Sequence, residues 1–200
     1  MRLRPGQLAP NFDVEDFNGR RVTLSSYRGR SVLLSFYRAA VCPLCNLRLS
    51  HVIRRYPSYQ RAGLDVIAFF ESTSERAHEY LDRQQAPFPI IADHARVMYT
   101  EYGLESSMLG ALRALVARLP MYREAAQRKI GSSTLLENVV RMDGRMGRMP
   151  GDFVVGADGR IRLAYYAHDA GDFPLFRDIE IAAFGQPLPE SATGVAAHWR

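Results

Sequence analysis

The chain has 200 residues, of which 47% are apolar and 24% charged, enough to bury a sizeable core and inconsistent with a disordered chain. Its formal charge of +5 is carried by arginines spread among acids, with no basic cluster longer than pairs such as Arg20-Arg21 and Arg54-Arg55. A phosphate-tracking surface shows a concentrated stripe, so a nucleic-acid partner is not expected. The first twenty residues carry acids and no continuous apolar run, and nowhere does an apolar stretch approach the length of a membrane span. The expectation is a cytoplasmic protein without a membrane partner, in a compartment where paired cysteines are more often catalytic or metal-binding than structural.

In chain order, residues 12–24 alternate apolar and polar positions around Asn18-Gly19, which predicts an N-terminal β-hairpin. The continuous apolar run 31–37 predicts a strand buried on both faces, ending just before Cys42 and Cys45. From Pro43 onward Leu44, Leu47, Val52, Ile53 and Tyr56 keep a helical spacing, and proline is tolerated in a first turn. A second buried strand follows at 64–70. The next helix, SERAHEYLDRQ, is expected to start from a capping box formed by Ser72 and Glu75. A short strand in 88–93 and a short helix closed by Gly103 complete a βαβα rhythm.

Residues 105–148 break that rhythm with two helical stretches and a Gly- and Met-rich connector. About 44 residues of this composition are too few for a separate core, so they predict a helical insertion, with a lid as one use for it. Two strands across Asp158-Gly159 and a closing amphipathic helix near 173–185 follow. The expected organisation is a single unit over 1–185 with a loose tail at 186–200.

The two cysteines are spaced CxxC where a strand gives way to a helix. That position places the first sulfur beside unpaired backbone N–H groups and the positive end of the helix dipole, lowering its pKa. Cys42 is therefore the expected attacking thiol, and Cys45, one turn on and less exposed, the resolving thiol. Two alternatives compete: a pair of small buried hydrophobes, and half of a metal site. Zinc would need four ligands, and the five histidines (51, 78, 94, 168, 198) form no HxxxH or HxxxxH pair. Met142, Met146 and Met149 could form a soft-metal site, although methionines more often fill gaps in cores. Asp152, Asp169 and Asp172 are candidates for a carboxylate near the dithiol, while His51 is too far along its helix to reach Cys42.

The stretches LAPNFDVEDFNGRRVTLSSYRGRSVLLSFYRAAVCPLCNLRL and MPGDFVVGADGRIRLAYY resemble the alkyl hydroperoxide reductase and thiol-specific antioxidant family, that is, peroxiredoxin-like proteins, in the subgroup carrying CxxC. The resemblance, over roughly residues 3–182, implies an α/β thioredoxin-like fold with a central mixed sheet flanked by helices. It implies thiol redox chemistry through a reversible Cys42–Cys45 disulfide, without a cofactor. The partners it implies are a peroxide or disulfide substrate and a thiol reductant of thioredoxin, glutaredoxin or small-thiol type, and it allows a homodimer.

The family's hydroxyl and proline before the peroxidatic cysteine are replaced here by Ala39 and Ser35, and its later arginine by Pro150. Thioredoxin-like dithiol proteins have a cis-proline at that place, so Pro150 is expected to be cis and to face the dithiol. This combination predicts readier exchange with disulfides than with peroxides. Arg38 and Arg148 are candidates for the missing arginine, although surface positions are the ordinary fate of arginine. A non-catalytic redox sensor, in which the disulfide moves the insertion, is the alternative from another class.

Overall fold

The computed structural model describes residues 1–131 and 135–189. The N-terminal hairpin pairs β1 (Asp13–Glu15) with β2 (Arg21–Thr23) in antiparallel register, Val14 opposite Val22. The main sheet then begins with β3 (Ser31–Phe36), which leads into α1 (Pro43–Ala62), β4 (Leu64–Phe70), α2 (Ser74–Leu81), β5 (Ile90–Ala92) and α3 (Val97–Glu101). The insertion supplies α4 (Met108–Ala117), α5 (Leu119–Gln127) and α6 (Leu135–Val140), and the chain returns through β6 (Gly151–Val155), β7 (Ile161–Tyr166) and α7 (Phe176–Phe184).

The five-stranded sheet has the order β5-β4-β3-β6-β7. Strands β3, β4 and β5 run parallel, whereas β6 pairs antiparallel with both β3 and β7. This is the mixed sheet of a thioredoxin-like fold. Because side chains alternate across a strand, β3 feeds two cores. Leu33 and Tyr37 pack with Leu44, Leu49 and Val52 of α1 and with Phe176 and Ile179 of α7, in the cluster that also holds both cysteines. Val32, Leu34 and Phe36 face the hairpin and α3, where Phe36 stacks on Phe69 with ring centroids 4.4 Å apart.

Two boundary signals act through physical means that spacing alone does not show. Helix α1 stops at Gly63, whose φ of +87° is readily reached without a Cβ. Helix α2 is capped by Thr73, whose Oγ1 accepts from Arg76 N–H at 3.3 Å, and not by Ser72 as the capping-box spacing predicts. Ser72 is instead drawn inward, where its hydroxyl accepts the backbone N–H of Ala40 at 2.7 Å and donates to Asp143 at 2.8 Å. The expected tail at 186–200 falls outside the described residues from 190 onward. No described helix is long and apolar enough to cross a membrane.

Candidate active site

The dithiol stands at the carboxyl end of the parallel strands, where a loop from β3 turns into α1. Tyr37 still belongs to the ladder through its N–H to Phe69 O at 2.8 Å. Beyond it the backbone is held by side chains, since a buried loop must satisfy its own polar groups. Asn46 donates its side-chain amide to the carbonyls of Ala40 (2.5 Å) and Cys42 (2.9 Å), and its Oδ1 accepts from Gln84 at 2.7 Å. With Ser72 on Ala40 N–H, the loop is fixed from both sides.

Cys42 is the N-cap of α1 and Pro43 its first residue. Both cysteines are unbonded thiols. The Arg38 guanidinium Nη1 donates to Cys42 Sγ at 3.8 Å, and the Arg38 backbone N–H to Cys45 Sγ at 3.4 Å. Burial alone would raise the Cys42 pKa. The Cys45 thiol donating to it, the Arg38 charge and the N–H groups of Cys45 and Leu44 outweigh that, bringing it down to about 6. Burial and the neighbouring Cys42 sulfur push Cys45 well above the ordinary thiol value. The pair is thus polarised into one thiolate and one thiol at neutral pH.

The expected difference in exposure between the two thiols is not found: Cys42 and Cys45 are both fully buried. The cause is the insertion, which lies over the dithiol. Gly131 packs so closely that a Cβ there would lie 2.7 Å from Pro43 Cα, and its φ of +71° suits glycine. The Met146 carbonyl accepts from Arg38 Nη2. Tyr122 of α5 packs against the cysteine-bearing cluster, and its pKa is raised by burial and by the Cys42 charge. Asp143 anchors the far end by accepting from Ser72 Oγ and from Thr73 N–H, each at 2.8 Å.

Residues 5–164 match the sequence profile described as the AhpC/TSA family. The chain belongs to the AhpC/TSA family. Its relatives include a Mycobacterium tuberculosis protein named as a peroxiredoxin, 34% identical over 111 residues that make up 54% of this chain and 71% of the relative. Peroxiredoxin Q of Oryza sativa subsp. japonica is 29% identical over 56% of this chain and 51% of its own length. The chain therefore spans about half the length of that plant relative. Among solved structures, the Mycobacterium tuberculosis peroxidoxin BcpB superposes with a TM-score of 0.62 at 14% identity, covering 91% of this chain and 95% of that one. A thiol:disulfide interchange protein of Chlorobium tepidum reaches 0.61 at 19% identity, covering 90% and 99%. The fold is thus shared by proteins of both names, and this AhpC/TSA protein is a thiol-based oxidoreductase.

Within this AhpC/TSA site the two candidate arginines have different surroundings, and neither has the surface position that base rates favour. Arg38 and Arg148 are 5% and 3% exposed. Arg148 forms a buried ion pair with Glu71, donates to the carbonyls of Leu104 (2.8 Å) and Glu105 (3.3 Å), and lies over the Tyr99 ring. Among the described residues Arg38 has the Cys42 sulfur and one carbonyl, and its buried Nε has no hydrogen-bond partner.

Pro150 directly precedes β6, whose first residue, Gly151, pairs with Phe36 at the end of β3, so it lies at the strand end from which the cysteine loop leaves. The expected cis bond is not found: no described peptide bond is cis, and Met149–Pro150 is trans. Pairing on either side explains this, because Met149 N–H bonds to Glu105 O at 3.2 Å and Pro150 O accepts from Ala167 N–H at 3.1 Å, continuing an extended strand edge.

The three aspartates are divided. Asp152 is buried on the dithiol side of the sheet, accepts from Ser35 Oγ, and has its pKa raised by burial. Asp169 and Asp172 instead bind Arg118, at 3.0 and 3.4 Å. His51 lies against Glu124 at 3.4 Å, and burial followed by surrounding arginines lowers its pKa to about 3. Met149 is buried in the core beside Gly110. Asn46, Asp143 and Tyr122 were not marked by any spacing, and Ser72 was marked only as a helix cap, since their roles here depend on contacts between distant segments.

Proposed function

We propose that the protein reduces hydroperoxides, with Cys42 as the attacking thiol, Cys45 as the resolving thiol and Arg38 in place of the arginine the family has at the position of Pro150. The observation that carries this reading is the Arg38 guanidinium, 3.8 Å from Cys42 Sγ and with a spare donor. In the first step the Cys42 thiolate attacks one peroxide oxygen. An S–O bond forms, the O–O bond breaks, and the leaving oxygen departs with the electron pair and takes up a proton. A guanidinium beside the sulfur stabilises the charge on that oxygen as it develops. Cys45 then displaces water from the Cys42 sulfenic acid, giving the Cys42–Cys45 disulfide. An external thiol or dithiol protein restores both thiols by exchange.

Disulfide exchange is the second reading, favoured by the CxxC spacing and by the thiol–thiolate pair. There the Cys42 thiolate attacks a substrate disulfide, one substrate thiol leaves, and Cys45 resolves the mixed disulfide. The trans Met149–Pro150 bond removes the cis-proline argument for it, while Pro150 still walls the strand end beside the cysteine loop. Either way the insertion must move for substrate to reach the sulfur, and its use as a lid belongs to the proposal. Stopped-flow oxidation of the reduced protein by a hydroperoxide and then by a model disulfide decides between them. Saturable oxidation by peroxide, abolished in Cys42→Ser, is expected. Peroxide reacting no faster than with an ordinary thiol of pKa about 6, alongside fast disulfide exchange, establishes the second reading.

A further inference from the structure

A cavity of about 250 Å3 lies between α1, the start of α5 and the segment 171–178 that leads into α7. Its walls combine Met121, Phe173 and Leu175 with Arg48 of α1, and the carboxylates Asp172 and Asp178 also line it, Asp172 being engaged by Arg118. Arg48 is 5% exposed and forms no close ion pair among the described residues; the carboxylate that feels its charge at longer range is the buried Asp152. Its guanidinium is over the Phe176 ring at 3.8 Å and the Phe173 ring at 5.5 Å, Nη2 donates to Pro174 O at 2.9 Å, and the buried Nε has no hydrogen-bond partner among the described residues. The cavity's other arginine is spent, because Arg118 binds Asp169 and Asp172. Asp172 in turn accepts from Tyr165 OH and from the His168 N–H, each at 2.8 Å. A buried guanidinium with an unmet donor and no carboxylate in hydrogen-bond contact is incompletely satisfied, and an anion entering beside it supplies the missing partner. Arginine's planar donor set is suited to a carboxylate, and the apolar walls to an alkyl or aryl stem.

The cavity is also placed to serve the dithiol. Arg48 follows Cys42 by six residues on α1, roughly 9 Å along the helix axis at about 1.5 Å per residue. Leu44, Arg48 and His51 share one helix face by their i, i+4, i+7 spacing. Gly171 in the cavity wall packs against Leu44, where a Cβ would lie 2.9 Å from Leu44 Cδ1. We propose that this cavity is a subsite for the carboxylate of an amphiphilic reactant of the dithiol, anchored at Arg48 with its stem against Met121 and Phe173. The assignment to a reactant rests on the thiol chemistry proposed above; the carboxylate site itself does not.

The test is calorimetric titration of the reduced 200-residue chain with 4-phenylbutyrate and with its neutral amide. The acid is expected to bind at least tenfold more tightly than the amide, Arg48→Gln to lose that preference, and Arg48→Lys to keep part of it. Should Arg48→Gln not fold, Met121→Trp, which fills the cavity from the insertion side, is expected to block binding of the acid. No binding, equal affinity for acid and amide, or unchanged affinity in the folded variants overturns the subsite. A second arm adds 4-phenylbutyrate to each half-reaction. Competition with linoleic acid hydroperoxide, which carries a carboxylate, assigns the pocket to the oxidant, and competition with 3-mercaptopropionate assigns it to the thiol reductant. Binding that slows neither half-reaction overturns the link to the dithiol while leaving the carboxylate site. A chain that binds the acid but shows no thiol turnover overturns the functional reading alone.

Discussion

Two buried arginines flank the same cysteine loop, and their surroundings differ in one respect. Arg148, at the end of the insertion, is saturated: a carboxylate, two carbonyls and an aromatic ring take up its guanidinium. Arg38, at the end of β3, faces a sulfur and a single carbonyl, and keeps one donor unused. A saturated guanidinium holds structure together, joining the insertion to the start of α2 through Glu71. An unsaturated one retains the capacity to bind charge that appears only during a reaction. On the proposed reading, the task of the arginine that family resemblance places in the later hairpin falls to one four residues before Cys42.

The largest effect that can break this comparison is on stability. Arg148→Met leaves the buried Glu71 with only the half-exposed Arg96, 3.9 Å away, as a cation and is expected to cost about 3 kcal/mol, read by urea denaturation. The double variant Arg148→Met, Glu71→Leu should recover most of that loss, because the buried charge is gone. If the single variant unfolds at the wild-type denaturant concentration, Arg148 is not the structural member of the pair.

The next effect is on titration. Cys42 alkylation should follow a thiolate with pKa about 6, and Arg38→Met should move the profile to higher pH, since it removes one of the interactions that favour the thiolate. Linkage gives a matching stability signal. The folded-state pKa lies below the ordinary 9.0, so the unfolded chain holds more Cys42 protons between about 6 and 9, and stability rises with pH across that window. It is lost as pH falls through about 6, and Cys42→Ser should flatten the rise. Cys45, shifted upward, acts in the opposite sense only above its ordinary value.

The smallest effect concerns the cover. Gly131→Ala adds a Cβ against the Pro43 backbone at positive φ, which should cost about 1 kcal/mol or more. Cys42 should then be alkylated faster at fixed pH. A variant that is destabilised yet reacts at the wild-type rate would show that the insertion does not limit access.

Much of the framework was legible in the sequence because it obeys short-range rules. The apolar run before Cys42, the 3.6-residue spacing after Pro43 and the Asn18-Gly19 and Asp158-Gly159 turns each act within a few residues, and each appears where its pattern predicts. The dithiol was legible for the same reason. What escaped was set by contacts between distant segments: the burial of Cys42 depends on residues about ninety positions later, and Ser72 was diverted from its capping role by Ala40 and Asp143. The trans bond at Pro150 reflects pairing with Glu105 and Ala167, which a match to a dithiol motif does not contain. Arg38 was identifiable as a candidate, but its place beside the sulfur required the fold.

The most direct test of the central claim is the rate of Cys42 oxidation by hydrogen peroxide in Arg38→Met, followed by stopped flow from pH 6 to pH 9. A guanidinium that stabilises the leaving oxygen should leave a deficit of roughly 10²–10³-fold, as for loss of an oxyanion donor, even where the Cys42 thiolate is fully formed in both proteins. A deficit that vanishes at high pH would show that Arg38 acts only on the thiol pKa, and the assignment of its catalytic role would be wrong.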